Sequence, residues 1–364
     1  MPYNWELTSW PNFVYNIDKH KDVEARFLRL SGQNEGVINV LNDSERKESI
    51  LNLMVREALK SSEIEGEMIS RADLVSSIRK NLGYNSDAKF IKDKRSIGIA
   101  ETIVRSRENF KDKLTSEMLF EWHRSILGHN SYIHLGQWRT HPEPMQIVSG
   151  SMNNEIIHYE APPSSSMEFE MNRFINWFNS SEASQMTPII RSSIAHLYFE
   201  SIHPFEDGNG RIGRIIAEKA LSQSIGYPIL MSLSHSITKD KKSYYEALKV
   251  AQRTLEIDDW IQFFGKTIVA AQEQFYVTMN FSIKKMRFFD KVKTFVNENQ
   301  QKVLNKMLES EDEFLGGMNA TKFMSITKVS KATATRNLSD MVGKNILISK
   351  GLGRSTNYQV NLDF

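Results

Sequence analysis

The feature that most constrains this chain is a polar loop caught between two apolar helical patterns. Ile190, Ile194, Leu197, Tyr198 and Ser201 recur at helical spacing, with Thr187 placed as N-cap and Pro188 in the first turn. Ile212, Ile215, Ile216 and Ala220 recur in the same way until Gly226, with Pro228 just beyond, stops the second helix. Between them run His203-Pro204-Phe205-Glu206-Asp207-Gly208-Asn209-Gly210-Arg211. Glycines let successive amides turn inward as a nest, and the start of the next helix adds free N–H groups and a positive dipole end. Arg211 and Arg214 are expected in the first turn of that helix, which makes the loop a cradle for phosphate. Glu206 and Asp207 stand at its entrance, where a bare anion would be repelled. A divalent cation between carboxylate and phosphate resolves the conflict, and Mg²⁺ is the usual choice. His203 supplies a group that titrates near neutrality and suits proton transfer. A base, a metal carboxylate and an anion cradle in one loop describe phosphoryl or nucleotidyl transfer.

Two commoner phosphate motifs do not apply. Gly208-Asn209-Gly210-Arg211-Ile212-Gly213 reads G-x-G-x-x-G, but a helix precedes it instead of a strand. No acid follows in Pro228-Ile229-Leu230-Met231-Ser232-Leu233, where the dinucleotide fold needs one, and no G-x-x-x-x-G-K-[ST] run occurs.

His203 to Arg214 matches the signature of the Fic family, HPFx[DE]GNGRxxR, at every specified position. The resemblance implies a mainly α fold, a Fic-type helical core with a small β-hairpin flap. It also implies movement of AMP from ATP onto a Ser, Thr or Tyr hydroxyl of a target protein or of the chain itself. On the same grounds His203 would be the base and Asp207 would hold Mg²⁺ on the α- and β-phosphates. Amides of Gly208, Asn209 and Gly210, with the Asn209 side chain and Arg211, would hold the phosphates, and Arg214 would take the γ-phosphate. Phe205 is read as a core anchor for the loop.

A second stretch resembles the same family. Ser61, Glu65 and Gly66 fit [ST]xxxE[GN], which marks an inhibitory helix. Glu65 is expected to form a bidentate ion pair with Arg214, occupying the guanidinium meant for the γ-phosphate. Nearby Glu63 and Glu67 read as solvated helical charges. Around Ser149–Asn154, the runs Met145–Val148 and Glu155–Tyr159 read as a hairpin. It resembles the Fic flap, which pairs with an extended segment of the target by strand addition; a hairpin that only covers the core is the alternative. The resemblance would put Ile157, His158, Tyr159 and Glu160 beside ATP. Tyr244 and Tyr245 would line the adenine and ribose pocket, with Gln252 where an asparagine is often found.

The rest of the chain supplies context. Its 364 residues allow two or three domains, and 40% apolar with 25% charged residues is ordinary for a soluble protein. With no cysteine, disulfides and zinc–thiolate sites are excluded. No signal peptide or membrane helix is expected, and a cytoplasmic location is. Trp5, Trp10, Phe13, Tyr15, Phe27 and Leu28 are expected to pack an N-terminal segment onto the body, followed by a loop at Gly32–Gly36. Asp43 or Ser44 caps a helix to about Lys60. Further helical patterns cover 68–135, where the spacing of His123, His129 and His134 fits no compact metal site.

From Ser282 onward fourteen Lys and Arg meet eight Asp and Glu, a net +6 against −4 for the remainder. A long helix near 286–308, Ala320–Met324, a recognition helix from Lys331 to Met341, and strands at Ile346–Ser349 and Tyr358–Val360 around Arg354 read as a winged helix-turn-helix. Its partner is DNA or protein. The expected divisions are 1–90, an N-terminal helical region with the inhibitory motif; 91–281, the catalytic core; and 282–364, the winged module. Alternatives to an AMP transferase are a nucleotide-sensing, DNA-binding transcriptional regulator, or a family enzyme that moves another group or removes AMP. The target and the oligomeric state, which could gate Glu65, are not written in the sequence.

Overall fold

The computed structural model describes residues 2–84, 91–128, 130, 132–151, 154–182, 186–308, 317–351 and 356–364. The chain falls into two compact units, Met1–Phe275 and Tyr276–Phe364. The described part of the first ninety residues lies in the first unit together with the loop. Helix α1 (Lys21–Asn39) and α2 (Asp43–Ile64) put Phe27, Leu30, Leu51, Met54, Val55 and Ala58 into the two apolar clusters of the first unit. Each large side chain so buried is worth about 1.5–3 kcal/mol.

Helix α1 runs straight through Gly32 and Gly36, where a loop was expected. A glycine in a helix costs about 1 kcal/mol relative to alanine, less than the burial of Val23, Phe27, Leu30 and Ile38 returns. The cap of α2 is Asn42, one residue before the expected one, in a reciprocal pairing with Glu45. Its other end is a paired C-terminal closure: the Gly66 amide donates to Glu63 O at 3.1 Å and the Glu67 amide to Ser62 O at 2.9 Å. That closure needs a left-handed residue after the helix, and Gly66 sits at φ 79°. It carries the helix a full turn past Lys60, to Ile64.

Helices α3 (Arg71–Asn81), α4 (Arg95–Glu108) and α5 (Ser116–Leu127) follow, then strands β1 (Gln146–Ser151) and β2 (Asn154–Glu160). The strands pair antiparallel, Gln146 opposite Glu160, with an irregularity between Ile147 and Val148. They reach further into the 149–154 stretch than the apolar runs alone indicate. Helices α6 (Met167–Ser181), α7 (Pro188–Ile202), α8 (Asn209–Ile225), α9 (Leu233–Lys239) and α10 (Lys241–Ala251) complete the region around the loop. The N-terminal aromatic segment docks as expected: Trp10 is buried and its Nε1 donates to Glu170 at 3.0 Å, while Leu28 stays exposed.

Helix α7 is buried on every face, so it is the axis of the unit; α8 packs against it after the intervening turn. Thr187 caps it by backbone conformation only, because its hydroxyl donates to Glu24.

Helix α11 (Asp258–Val292) begins in the first unit. The second unit contains α12 (Glu298–Met307), α13 (Ala320–Thr327), α14 (Lys331–Gly343) and the antiparallel pair β3 (Leu347–Lys350) and β4 (Asn357–Val360). The long helix expected near 286–308 is broken at 293–297. Asn297 starts a new helix by a reciprocal cap with Gln300, an N-x-x-Q signal present in the sequence. Arg354 lies outside the described residues. No helix among the described residues is long and apolar enough to cross a membrane.

Candidate active site

The loop joins the C-terminus of α7 to the N-terminus of α8. His203 caps α7 in the left-handed region, φ 51° and ψ 61°, a conformation that costs a side-chain-bearing residue about 1–2 kcal/mol. Phe205 is fully buried as expected, its ring stacked on His123 at 4.2 Å and packed on Trp138 at 5.1 Å. Asn209 was expected to contact phosphate through its side chain. Instead it is buried and clasps Phe205, its Oδ1 accepting from the Phe205 amide at 3.0 Å and its Nδ2 donating to the Phe205 carbonyl at 2.8 Å. The side chain shapes the loop.

Three residues that hold the loop were not singled out for it in the sequence. His123, buried on α5, accepts from the Gly136 amide through Nδ1 at 2.9 Å. Its Nε2 then carries the proton and donates to the Asp207 carbonyl at 3.2 Å. Burial holds this imidazole down to about 4, so it works as a neutral brace. His134 bonds Glu206 at 2.9 Å. Burial alone would raise the Glu206 carboxyl, yet the His134 contacts outweigh it and hold it below its usual value. Glu206 is thus turned to a histidine, not to a cation. Arg139, 1% exposed, lies under His203. The signal available was Trp138-Arg139 in a segment otherwise poor in structure, and nothing in its spacing pointed to the loop. His129 lies outside the described residues, and no group of three or more metal-binding side chains occurs among them.

The imidazole of His203 is pushed down to about 4, first by burial and then by the charge of Arg139, and is neutral at pH 7. A neutral ring can accept a proton. Its Nδ1 lies 3.9 Å from Glu200 Oε2, and burial lifts that carboxyl to about 8.

The phosphate side of the loop is occupied by the chain's own carboxylates. Ser61 and Glu65 are four residues apart on α2 and so face the same way. Arg214, 1% exposed, donates from Nη2 to Glu65 Oε1 at 2.9 Å, to Ser61 Oγ at 2.9 Å and to the Ser61 carbonyl at 3.1 Å. Its Nε also donates to Ser61 Oγ, at 3.2 Å. The expected two-pronged ion pair is therefore single-pronged, because Ser61 takes the other directions of the fork. Burial works against the Arg214 charge, and Glu65 more than compensates.

A Cβ on Gly210 would stand 2.7 Å from Glu65 Oε1, so only glycine admits the carboxylate this close to the start of α8. Glu67, read as solvated, pairs with Arg211 at 2.9 Å. Arg211 lies in the first turn of α8 as expected and Arg214 in its second, one turn deeper than expected. Lys241 Nζ donates to the Ile64 carbonyl at the end of α2, and Glu57, two turns earlier, accepts from Ser232 and Ser234 at the start of α9.

Other expected ligand residues are used differently. Tyr159 is buried, its hydroxyl donating to the Ser201 carbonyl at 2.6 Å. Glu160 accepts from Gln146 and, through its carbonyl, from Trp5. Tyr244 is buried against His196, sharing a hydrogen bond of 2.7 Å. Gln252 spends its amide on the Glu200 carbonyl at 3.2 Å. Tyr159, Tyr244 and Gln252 sit in the core because an aromatic or amide with a fixed partner is better buried than free, while Glu160 is half-buried. Ile157 and Tyr245 are exposed and His158 is half-buried. Asp207 is half-exposed; its Oδ1 accepts from the Gly208 amide at 2.6 Å and its Oδ2 is 3.5 Å from Arg211.

Residues 113–221 match the model of the Fic/DOC family, and residues 3–84 match a domain of unknown function, DUF4172. The protein adenylyltransferase Fic of Culex quinquefasciatus is 27% identical over 241 residues, 65% of this chain and 44% of that protein. Its namesake from Drosophila ananassae is 30% identical over 193 residues, 52% of this chain and 35% of that one. The chain thus spans less than half the length of these curated relatives. Among solved structures, a Fic family protein from Desulfovibrio desulfuricans G20 is similar over 96% of this chain and 98% of its own, with a TM-score of 0.56 and 17% identity. A Fic domain containing signaling protein from Bacteroides thetaiotaomicron VPI-5482 covers 72% of this chain and 97% of its own at a TM-score of 0.52 and 19% identity. These similarities and the loop geometry agree: residues 113–221 of this chain match the Fic/DOC family, and the fold is that of the Fic structures.

Proposed function

We propose that the chain transfers AMP from ATP to a hydroxyl of a protein and restrains itself through Glu65. The observation that carries the reading is the pairing of a neutral, buried imidazole with a buried arginine at the two ends of one loop, the arginine being held by a carboxylate of the same chain. In the transfer, the hydroxyl oxygen bonds to the α-phosphorus and the bond from that phosphorus to the β-phosphate oxygen breaks. The proton passes to the His203 imidazole, and pyrophosphate leaves. The amides at the start of α8 and the guanidinium of Arg214, once released, hold the phosphates in line. Asp207 is the open carboxylate at the mouth, which fits Mg²⁺, a cation that takes one or two carboxylates and completes its shell with phosphate and water. Bound there, Mg²⁺ would neutralise charge on the phosphates.

The hairpin β1–β2, with Val148 and Ile157 exposed, supports a docking edge for an extended segment of the target. Named as protein adenylyltransferases, the curated relatives support the same chemistry. Labelled ATP and Mg²⁺ given to the wild type and to Glu65→Gly, with candidate proteins present, should put label on protein, more in the variant. Absence of label from both would end the reading, and the mass added identifies the group moved. The helix–helix–hairpin order of the second unit supports a winged helix-turn-helix that binds duplex DNA; retention that falls steeply with salt is the test.

A further inference from the structure

The group that sets the catalytic imidazole in place comes from outside the loop, in the segment ahead of the hairpin. We infer that Arg139 is the positioning residue for His203, its sealed guanidinium fixing the left-handed turn from which the imidazole meets the hydroxyl. The inference rests on His203 acting as the base in AMP transfer.

Arg139 donates from Nε to the His203 carbonyl at 2.8 Å and from Nη2 to the Ile202 carbonyl at 3.4 Å. The same guanidinium reaches the Pro162 carbonyl, and Nη1 donates to Ser164 Oγ at 2.8 Å. Its own amide donates to the Pro204 carbonyl at 2.9 Å. The carbonyls of Ile202 and His203 are orphans at the end of α7, where a cation is also favoured by the helix dipole. A left-handed histidine persists only when its surroundings over-determine it, and these contacts are what determine it. They also tie the loop to Pro162 and Ser164, just past β2, so the imidazole and the base of the hairpin share one anchor. The geometry demands a planar fork: carbonyls of Ile202, His203 and Pro162 are served at once, which an ammonium on a flexible stem does not do.

Facing the imidazole are Arg139 from beneath, Glu200 on α7 with Oε2 3.9 Å from Nδ1, and Asp207 along the loop. Burial first and the Arg139 charge second hold the ring down to about 4. Taking the charge away should therefore move its titration upward.

The test uses the full chain carrying Glu65→Gly as parent, with Arg139→Met and Arg139→Lys added. Arg139→Met should lower kcat for AMP transfer about 100-fold while KM for ATP stays within about threefold, because Gly210 and Arg214 lie at the other end of the loop. Arg139→Lys should fall between. Histidine-ring NMR of the full chain, read without ATP, should show the His203 titration shifted upward in the methionine variant. A parent-like kcat, a loss expressed only in KM, or an unmoved His203 titration would each overturn the inference. Should Arg139→Met not fold, the lysine variant decides, and a parent rate there overturns it. A parent that moves no AMP, together with a shifted titration in Arg139→Met, retains the positioning role and removes the transfer reaction.

Discussion

The two ends of the loop are held in opposite ways. At the His203 end the partners are backbone carbonyls, a buried guanidinium and the stacked rings of His123 and Phe205, none of which a ligand can displace without unpacking the core. At the arginine end carboxylates are among the partners: Glu65 on Arg214, beside the Ser61 hydroxyl and carbonyl, and Glu67 on Arg211, both acids reaching in from the close of α2. A phosphate is chemically what those carboxylates imitate, so it can replace them. On the proposed reading, the contrast teaches that the base is built in permanently, while the anion site is filled by a stand-in that can leave.

The contrast can be broken first at its fixed end. His203→Ala should lower AMP transfer about a thousandfold with nucleotide binding nearly unchanged, measured by label transfer beside a binding isotherm; a comparable loss in both would merge the two ends into one. At the exchangeable end, Glu65→Gly should raise transfer about a hundredfold while leaving the thermal midpoint within a few degrees. A drop in transfer there would show Glu65 to be part of the machinery. Glu67→Gln should tighten nucleotide binding by a smaller factor, on the order of fivefold, since its partner is an ion pair at the loop mouth; combined with Glu65→Gly, any departure from a simple product measures how far the two pairs act as one. Weakest of all, Asn42→Ala removes the reciprocal cap at the far end of α2 and should cost about 1 kcal/mol of stability. Its effect on transfer should be negligible, and a clear rise would show that the whole helix, not its last turn, does the restraining.

Much of the loop was legible because its residues must be contiguous to do their work: the glycines, the histidine and both arginines stand in one run of twelve, and the helices either side announce themselves by period and stops. Ser61, Glu65 and Gly66 were legible for a related reason, a helix end written in a short pattern. Arg139 and His123 were not. They reach the loop across 64 and 84 positions of sequence, and a buried brace looks in one dimension like any charged or aromatic neighbour. Glu67 was missed because an acid three residues past a helix reads as solvated until the closure at Gly66 turns it back. For Tyr159, Tyr244 and Gln252 a resemblance named ligand contacts, and what the sequence did not show is that the fold gives them partners in Ser201, His196 and Glu200. The helix through Gly32 and Gly36 was lost to local propensity, which a long buried face outweighs.

Glu57, bonded to Ser232 and Ser234, and the apolar row Leu51, Met54, Val55 and Ala58 fasten α2 along its length, whereas Glu65 and Glu67 hang from its terminal closure at Gly66. If Glu65 restrains the transfer as proposed, its release would require no hinge and no travelling domain. Fraying of one turn, the cheapest motion a helix has, would drop both acids and the Lys241 tether in a single stroke, so the two arginines would come free together or not at all.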